Sequence, residues 1–231
     1  MSKRSVVVAL ALCLAFSQAF AQKAEPSAAI EYKPPQRGTP VGRIGGGTRG
    51  IAVVPAPALT ALTPDHVALT TSEQPTLYWF LPAKSAVRIE VALIDSSGVK
   101  PLMETSYANL EPGIHRIDLK DFNVRLKLNE EYRWSVALVV SDKQRSRDVV
   151  SQGSLRLVEL PTDTRASMAT RSRDEQAVAY ASLGIWHDAL NALSESISAA
   201  PERRELRSMR AALLDQAGLK SAAEFDRKAV R

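Results

Sequence analysis

Apolar and polar residues alternate with a period of two through the middle of the chain, from about Ile51 to Leu160. The alternation is clearest in the stretches PTLYWFLP, AVRIEVALID and EYRWSVALVV, and shorter versions occur in GIHRIDL and GSLRLVEL. Turn residues separate these runs. Short alternating strands at regular spacing are typical of antiparallel sandwiches. The pattern therefore predicts an antiparallel β-sandwich over residues 51–160, of the immunoglobulin-like or fibronectin-III-like kind, with Trp79 and Trp134 in its core.

The apolar spacing becomes helical beyond about Thr162. SRDE at 172–175 and SAAE at 221–224 have the spacing of capping boxes, which begin helices. Gly184 and Gly218 are typical helix ends. The pattern predicts four helices, at 173–183, 185–199, 201–217 and 221–230, in a helical region 161–231. The expected fold class is α+β in two parts, a sandwich followed by helices.

The two halves of the helical region resemble each other at a spacing of 34 residues. The spacing and the small residues at matching positions are typical of tetratricopeptide-like helical hairpins. Stable arrays of such hairpins usually contain three or more units, so ordinary helices packed on the sandwich are the alternative. The matched positions are Ala177, Tyr180, Gly184 and Ala189 in the first unit and Ala211, Leu214, Gly218 and Ala223 in the second.

The first 21 residues have the three parts of a secretory signal peptide. Lys3 and Arg4 are followed by an apolar run and by Ala19-Phe20-Ala21, a small-x-small cleavage pattern. Cys13 lies in a run similar to a lipobox, but the bulky Leu12 precedes it, so a lipoprotein is the lesser alternative. Cleavage after Ala21 would remove the single cysteine, and with it any disulfide or thiolate chemistry. We expect a periplasmic or secreted protein with no transmembrane segment after signal removal.

Residues 22–50 form a leader rich in proline, glycine and basic residues. The chain has 30 lysines and arginines against 25 acidic residues, and no acid lies between Lys33 and Pro64. Such a segment is either a soluble linker or a binder of anionic glycan or lipid. The residues that would bind the anionic surface are Lys33, Arg37, Arg43 and Arg49.

The leader ends in Gly45-x-Gly47-x-x-Gly50, the spacing of a dinucleotide-binding turn. Such a turn needs a strand before it and a helix after it. Here a proline-rich segment precedes it, and Pro55 and Pro57 follow it, so no helix can begin there. We therefore expect no nucleotide, and export argues against nucleic acid as a partner.

The sequence shows no group of residues typical of a catalytic, cofactor-binding or metal-binding site. The three histidines form no closely spaced ligand pair, and no Gly-x-Ser-x-Gly nucleophile elbow is present. His66 and His187 are expected at the surface, whereas His115 is expected to pack at a strand end. The neighbouring Trp186, His187 and Asp188 are a possible partner-binding surface on a helix.

Several stretches together resemble the bacterial family known as domain of unknown function 928. They are RGTPVGRIGGGTRG, PTLYWFLP, EYRWSVALVV with SDKQRSRDVVSQGSLRL, and YASLGIWHDALNAL. The resemblance runs from about Lys33 to the helical end and implies an exported bacterial protein of no established activity. It also implies that Ala52 and Ser141 occupy positions where many members carry cysteines; if those cysteines pair in relatives, the stretch after Gly50 lies close to Ser141.

These expectations favour a non-enzymatic protein–protein interaction module of the bacterial envelope. An envelope protein is then the expected partner. Binding of anionic glycan or lipid through the leader is the alternative, and a hydrolase is less favoured because no cluster of catalytic residues is visible.

The signal-peptide interpretation predicts that the exported protein begins at Gln22 or its cyclised form. Signal peptidase cleaves after the small-x-small pattern, so the intact mass should lack residues 1–21. Mass spectrometry of the exported protein checks this. A mass that retains Met1, or one that includes a lipid on Cys13, contradicts it.

Overall fold

The computed structural model describes residues 29–35 and 59–230. In this part of the chain, eight strands precede five helices, with two short 3-10 turns between the strands. The protein is therefore α+β, with the sheets before the helices in sequence. The strands are β1 (Thr60–Ala61), β2 (Ala68–Thr70), β3 (Thr76–Leu81), β4 (Arg88–Ile94), β5 (Pro101–Tyr107), β6 (Gly113–Asp118), β7 (Glu131–Val139) and β8 (Val149–Leu157).

The strands form two sheets. A three-stranded sheet has the order β1-β3-β6, and a five-stranded sheet has the order β2-β8-β7-β4-β5. One pairing departs from the antiparallel expectation, because β2 lies parallel to β8, with Ala68 opposite Leu155. A parallel pair needs a long connection, and here most of the other strands lie between the two partners in sequence. The pairing with β2 continues one residue beyond β8, since the N–H of Val158 donates to the Thr70 carbonyl, 2.9 Å away.

The inner faces of the two sheets share one apolar core. The alternation predicted for β4 and β7 is confirmed: Ile89, Val91 and Leu93 are fully buried on β4, and Trp134 and Val136 are fully buried on β7. The three-stranded sheet contributes Leu77, Trp79 and Leu81 to the same cluster. Both tryptophans expected in the core are therefore there.

The helices are α1 (Thr162–Ala169), α2 (Arg173–Ser182), α3 (Trp186–Ala199), α4 (Arg204–Gln216) and α5 (Lys220–Lys228). The last four lie within a few residues of the expected bounds. The capping box of Ser172 and Glu175 is confirmed. The box expected at Ser221 is wrong, because α5 already begins at Lys220 and has no side-chain cap. None of the helices in the described part of the chain is long and apolar enough to cross a membrane.

Helix α1 was not expected from the sequence. It follows Pro161, and Asp163 lies in its first turn, where a carboxylate interacts favourably with the helix dipole. Met168 is its one buried residue, so it lacks the apolar stripe by which helices are recognised. The count of four helices was therefore too low.

A second apolar core joins the helices to the outer face of the three-stranded sheet. Strand β3 is buried on both faces, because Tyr78 and Phe80 point away from Trp79 and pack among the helices. Trp186, at the start of α3, is fully buried there, and its indole N–H donates to the Leu62 carbonyl at 2.9 Å. The sheet and the helices are thus one continuous packing unit.

Residues 29–35 lie in an extended conformation against the helices. Ile30 and Tyr32 are buried in the second core. The N–H of Tyr32 donates to the side-chain oxygen of Gln216 at 2.7 Å, and the N–H of Lys33 donates to the Ala181 carbonyl at 3.1 Å. The edge of the Tyr32 ring meets Trp186, with centroids 5.1 Å apart. This part of the predicted leader is therefore packed against the folded helices.

Two glycines allow a matched test of this contact. Gly184 and Gly218 both have positive φ, at 76° and 71°, so a Cβ adds about 1–2 kcal/mol of backbone strain at either position. Only at Gly184 would the Cβ also meet another segment, 2.6 Å from the Lys33 carbonyl oxygen; at Gly218 nothing described lies within 4 Å.

Gly184→Ala should therefore lower the free energy of unfolding by about 3 kcal/mol, and Gly218→Ala by about 1 kcal/mol. Urea unfolding of the two variants and the wild type measures the difference. Equal losses would mean that residues 29–35 do not pack at Gly184 in solution.

Candidate binding cleft

In the described part of the chain, a large cavity lies between one end of the five-stranded sheet and helices α1 and α2. We call it the outer cleft; its volume is about 740 Å³. Its apolar wall combines side chains from the sheet end with Met168 of α1. Charged side chains of both signs, among them Glu73, Lys127 and Arg165, surround that wall. The apolar residues are Leu126, Leu128, Leu157, Val158, Leu160, Met168 and Ala169.

A smaller cavity of about 170 Å³, the polar pocket, adjoins the outer cleft. Gln176 and Tyr180 line both cavities. One wall of the pocket comes from the segment between β2 and β3, with Thr70, Ser72, Gln74 and Thr76. The other wall comes from α2 and α3, with Arg173, Gln176, Tyr180, His187, Asp188, Asn191 and Glu195.

Two helical stripes of polar residues build the second wall. Arg173, Gln176 and Tyr180 follow one another at intervals of three and four on α2, and Asp188, Asn191 and Glu195 do the same on α3. Side chains at these intervals lie on one face of a helix. Because α2 and α3 pack side by side, the two stripes meet, and Arg173 forms an ion pair with Glu195.

Asp188 connects the pocket to the sheet. Its carboxylate accepts hydrogen bonds from the Thr71 N–H at 3.1 Å and from the Thr71 hydroxyl at 2.5 Å. Burial raises the pKa of Asp188, and the hydrogen bonds from Thr71 and Thr70 partly offset that rise. The carboxylate therefore fixes α3 to the residue after β2, and its charge is held in a poorly solvated place.

His187 also lines the polar pocket, although its residue is only 1% exposed. Neither ring nitrogen has a hydrogen-bond partner among residues 29–35 and 59–230. Burial lowers the pKa of the imidazole to about 3, so the ring is neutral at physiological pH and keeps one donor and one acceptor. An unpaired buried ring is costly, and here it provides hydrogen-bonding capacity at the edge of the pocket.

The prediction that Trp186, His187 and Asp188 form an exposed partner-binding surface is therefore wrong. Trp186 is fully buried and His187 nearly so, because α3 is covered by the sheet on one side and by α2 and α4 on others. Asp188 is partly exposed, but its carboxylate is engaged by Thr71. The prediction that His187 lies at the surface fails for the same reason.

The other two histidines agree better with expectation. His115 is half-buried on β6 and stacks on Trp79, with centroids 5.6 Å apart. His66 lies in a loop, with its Nε2 2.8 Å from the Tyr32 hydroxyl. Among the residues that the structure describes, no group of three or more His, Cys, Asp or Glu side chains could hold a metal ion.

Of the leader's basic residues, Lys33 lies within the described part of the chain. Its ammonium group is 3.6 Å from Glu31, and both side chains are exposed. Arg37, Arg43 and Arg49 lie outside the described residues, as do the glycine-rich stretch and Ala52. Lys33, the one described member of the four predicted anion-binding residues, lines neither of the two cavities.

The chain matches the family described as Domain of Unknown Function (DUF928) over residues 44–226. The match covers most of the sequence, including every strand and nearly every helical residue. The chain belongs to this family. No curated protein matches the chain. The resemblance seen in the sequence is thus confirmed, and both cavities lie inside the matched region of this DUF928 protein.

The buried imidazole predicts a pH-dependent stability. The unfolded histidine takes up a proton near its ordinary pKa of 6.5, whereas the folded His187 does so only near 3. Protonation therefore favours the unfolded state as the pH falls from about 6.5 towards 3. Between pH 7 and pH 5 this coupling should cost about 2 kcal/mol of unfolding free energy.

His187→Leu should remove that loss, while stability at pH 7 stays near the wild type because an unpaired polar group is replaced by an apolar one of similar size. Chemical denaturation at both pH values checks this. His115→Leu is the control and should keep the wild-type dependence. Asp188, whose raised pKa acts in the opposite direction, is present in all three proteins. If the stability of His187→Leu depended on pH as that of the wild type does, His187 would not be buried and neutral in solution.

Proposed function

We propose that this DUF928 protein is an exported, non-enzymatic interaction module of the bacterial envelope. In this proposal it binds an extended segment of an envelope protein in the outer cleft and the polar pocket. The observation that carries the proposal is the arrangement of the two cavities: an open apolar wall with a charged rim leads into a pocket lined by hydroxyl, amide and charged side chains.

The outer cleft has the composition of a protein-binding surface. Protein interfaces usually combine an apolar centre with a polar rim. Leu128 is 48% exposed and lies beside the buried Leu157 and Met168. Glu73, Lys127 and Arg165 around this wall provide charges of both signs, which favours a protein segment over a ligand of uniform charge.

The polar pocket suits the polar side chain or backbone amide of such a segment. Gln176 and Asn191 each carry an amide, and the neutral imidazole of His187 has one donor and one acceptor. The pocket holds Asp188 and Glu195 against Arg173, so a neutral or basic side chain fits it better than an acidic one.

The helices already bind one extended segment of the same chain. The backbone of residues 29–35 bonds to the Ala181 carbonyl of α2 and to the side-chain amide of Gln216 on α4, with Tyr32 as the buried anchor. Backbone pairing combined with a buried aromatic side chain is a general mode of peptide binding. This internal contact supports the view that the helical region accepts extended peptides.

We also propose that the two helical hairpins are tetratricopeptide-like and that the two sheets form an immunoglobulin-like sandwich. The matched small residues Ala177, Ala189, Ala211 and Ala223 are each at most 1% exposed. Gly184 and Gly218, at the same spacing, end α2 and α4 with positive φ. These likenesses support the 34-residue repeat, and both architectures commonly act as binding scaffolds, although a fold alone does not define a function.

The alternative, binding of anionic glycan or lipid through Lys33, Arg37, Arg43 and Arg49, has less support. The ammonium group of Lys33 has Glu31 beside it, and the backbone of Lys33 is held against α2. We therefore place the interaction at the cleft and the protein in the periplasm or outside the cell, as the amino-terminal signal pattern suggests.

Site-specific photo-crosslinking in the native bacterium tests the proposal. A photoreactive amino acid at Leu128, in the outer cleft, should yield one dominant crosslink to an exported protein, mapped by mass spectrometry to a single segment. Val99, 86% exposed in the turn between β4 and β5, is the control position and should yield none of that product. Asp188→Asn together with Asn191→Ala should weaken the Leu128 crosslink. Equal crosslinking from Leu128 and Val99, or none from Leu128, would contradict the proposal.

A further inference from the structure

A second recess lies on the other side of α3, between β6 and helices α3, α4 and α5. Its volume is about 420 Å³. We call it the arginine pocket, because Arg116 of β6 and Arg207 and Arg210 of α4 line it together. The hydroxyl-bearing Ser194, Ser198 and Tyr78 complete its polar part.

The base of the arginine pocket is a buried ion pair. The guanidinium group of Arg210 donates twice to the carboxylate of Asp226, both bonds being 2.7 Å long, and once to the Ser194 hydroxyl at 3.1 Å. Asp226 is fully buried and the Arg210 side chain is 7% exposed. These three hydrogen bonds engage all three nitrogens of the Arg210 guanidinium group and fix the position of the cavity wall.

The remaining two arginines are not neutralised in the same way. Arg207 approaches Asp226 only to 3.5 Å, and that carboxylate already accepts both bonds of Arg210. Arg116 lies 3.7 Å from Asp118, whose other oxygen accepts the Thr76 hydroxyl. Three guanidinium groups thus face two carboxylates, and none of the described residues that line the pocket is acidic. The pocket has an excess of positive charge.

The pocket also has an apolar side. Ile114, Ile197 and Phe225 line it, and Phe225 is held by its contact with Phe80, with ring centroids 5.4 Å apart. Tyr78 donates to Asn191 at 2.8 Å, and its hydroxyl also interacts with Ser194 and Arg116. The recess therefore combines guanidinium donors, hydroxyl groups and an apolar wall.

We propose that the arginine pocket binds the oxyanion of a small phosphorylated ligand. A guanidinium group presents paired N–H donors that match two oxygens of one phosphate. Arg116 and Arg207 would hold the phosphate, Ser198 and Tyr78 would contact hydroxyl groups of the attached body, and the apolar wall would cover the rest. This site is separate from the cleft and does not depend on the function proposed for it.

Calorimetric titration of the purified protein tests the assignment. The probes are inorganic phosphate, a hexose phosphate and vesicles containing phosphatidylglycerol. Binding of the hexose phosphate or of phosphate identifies a soluble ligand, whereas binding of the vesicles alone identifies a lipid headgroup as the source of the same oxyanion. In either case the affinity should fall as salt is added, since the attraction is screened.

Arg116→Gln and Arg207→Gln should each raise Kd by about tenfold or more, because each removes a charged hydrogen-bond donor. Neither change removes a member of the Arg210–Asp226 pair, and thermal melting of each variant checks that the fold is intact, above all for Arg207→Gln, because Arg207 lies 3.5 Å from Asp226. Arg204→Gln is the matched control: Arg204 is exposed on the same helix, one turn before Arg207, and does not line the pocket. Its Kd should equal that of the wild type.

Two results would overturn the assignment. One is the absence of binding by the wild type to all three probes at about 10 mM. The other is a loss of affinity in Arg204→Gln as large as in Arg207→Gln, which would indicate attraction to the overall charge and not to the pocket.

Discussion

The hydrogen bond from the Trp186 indole to the Leu62 carbonyl joins the parts of this protein. It is buried, and it lies where α3 meets the chain that follows β1. The Tyr32 ring packs edge-on against the same indole, so the segment 29–35, the sheets and the helices meet at one side chain. A buried carbonyl left unpaired is costly, and a smaller side chain at this position would also leave a cavity. The relative placement of the sheets and the helices thus depends on this contact.

Helix α3 is the central element of the helical region, and both candidate sites follow from its position. The sheet, α2 and α4 cover it on different sides, so most of its residues are buried, including His187 and Ser194. Its polar residues therefore lie in the gaps that its neighbours leave. Asp188 and Glu195 contribute to the polar pocket on one side, and Ser194 contributes to the arginine pocket on the other. The hydrogen bond between Tyr78 and Asn191 lies between the two recesses.

Much of the fold could be predicted from the sequence wherever one face of an element was apolar. The alternation in β4 and β7 identified the residues between the sheets, and the glycines identified the ends of α2 and α4. The parallel pairing of β2 with β8 could not be predicted, because it joins residues far apart in the chain. Helix α1 has no apolar stripe to identify it.

The sites were less visible in the sequence than the fold. His187 was assigned to the surface because histidine is polar, but the neighbours that cover it come from distant parts of the chain. Thr71 reaches Asp188 across 117 residues, and no local pattern marks that contact. The matching stripes from Arg173 to Tyr180 and from Asp188 to Glu195 were a usable signal, since polar residues at helical intervals on packed helices imply a shared polar face.

The docking of residues 29–35 also determines when the protein can finish folding. Tyr32 bonds to Gln216, which lies 184 residues further along the chain. A chain is synthesised from its amino terminus. Ile30 and Tyr32 are therefore made well before α4, which contains their partner Gln216. The contacts of Lys33 with Ala181 and Gly184 need only α2 and the residues after it, whereas the bonds of Ile30 and Tyr32 to Gln216 need α4. A chain that stops before α4 therefore lacks both bonds to Gln216, although it still contains the partners of Lys33 at the end of α2.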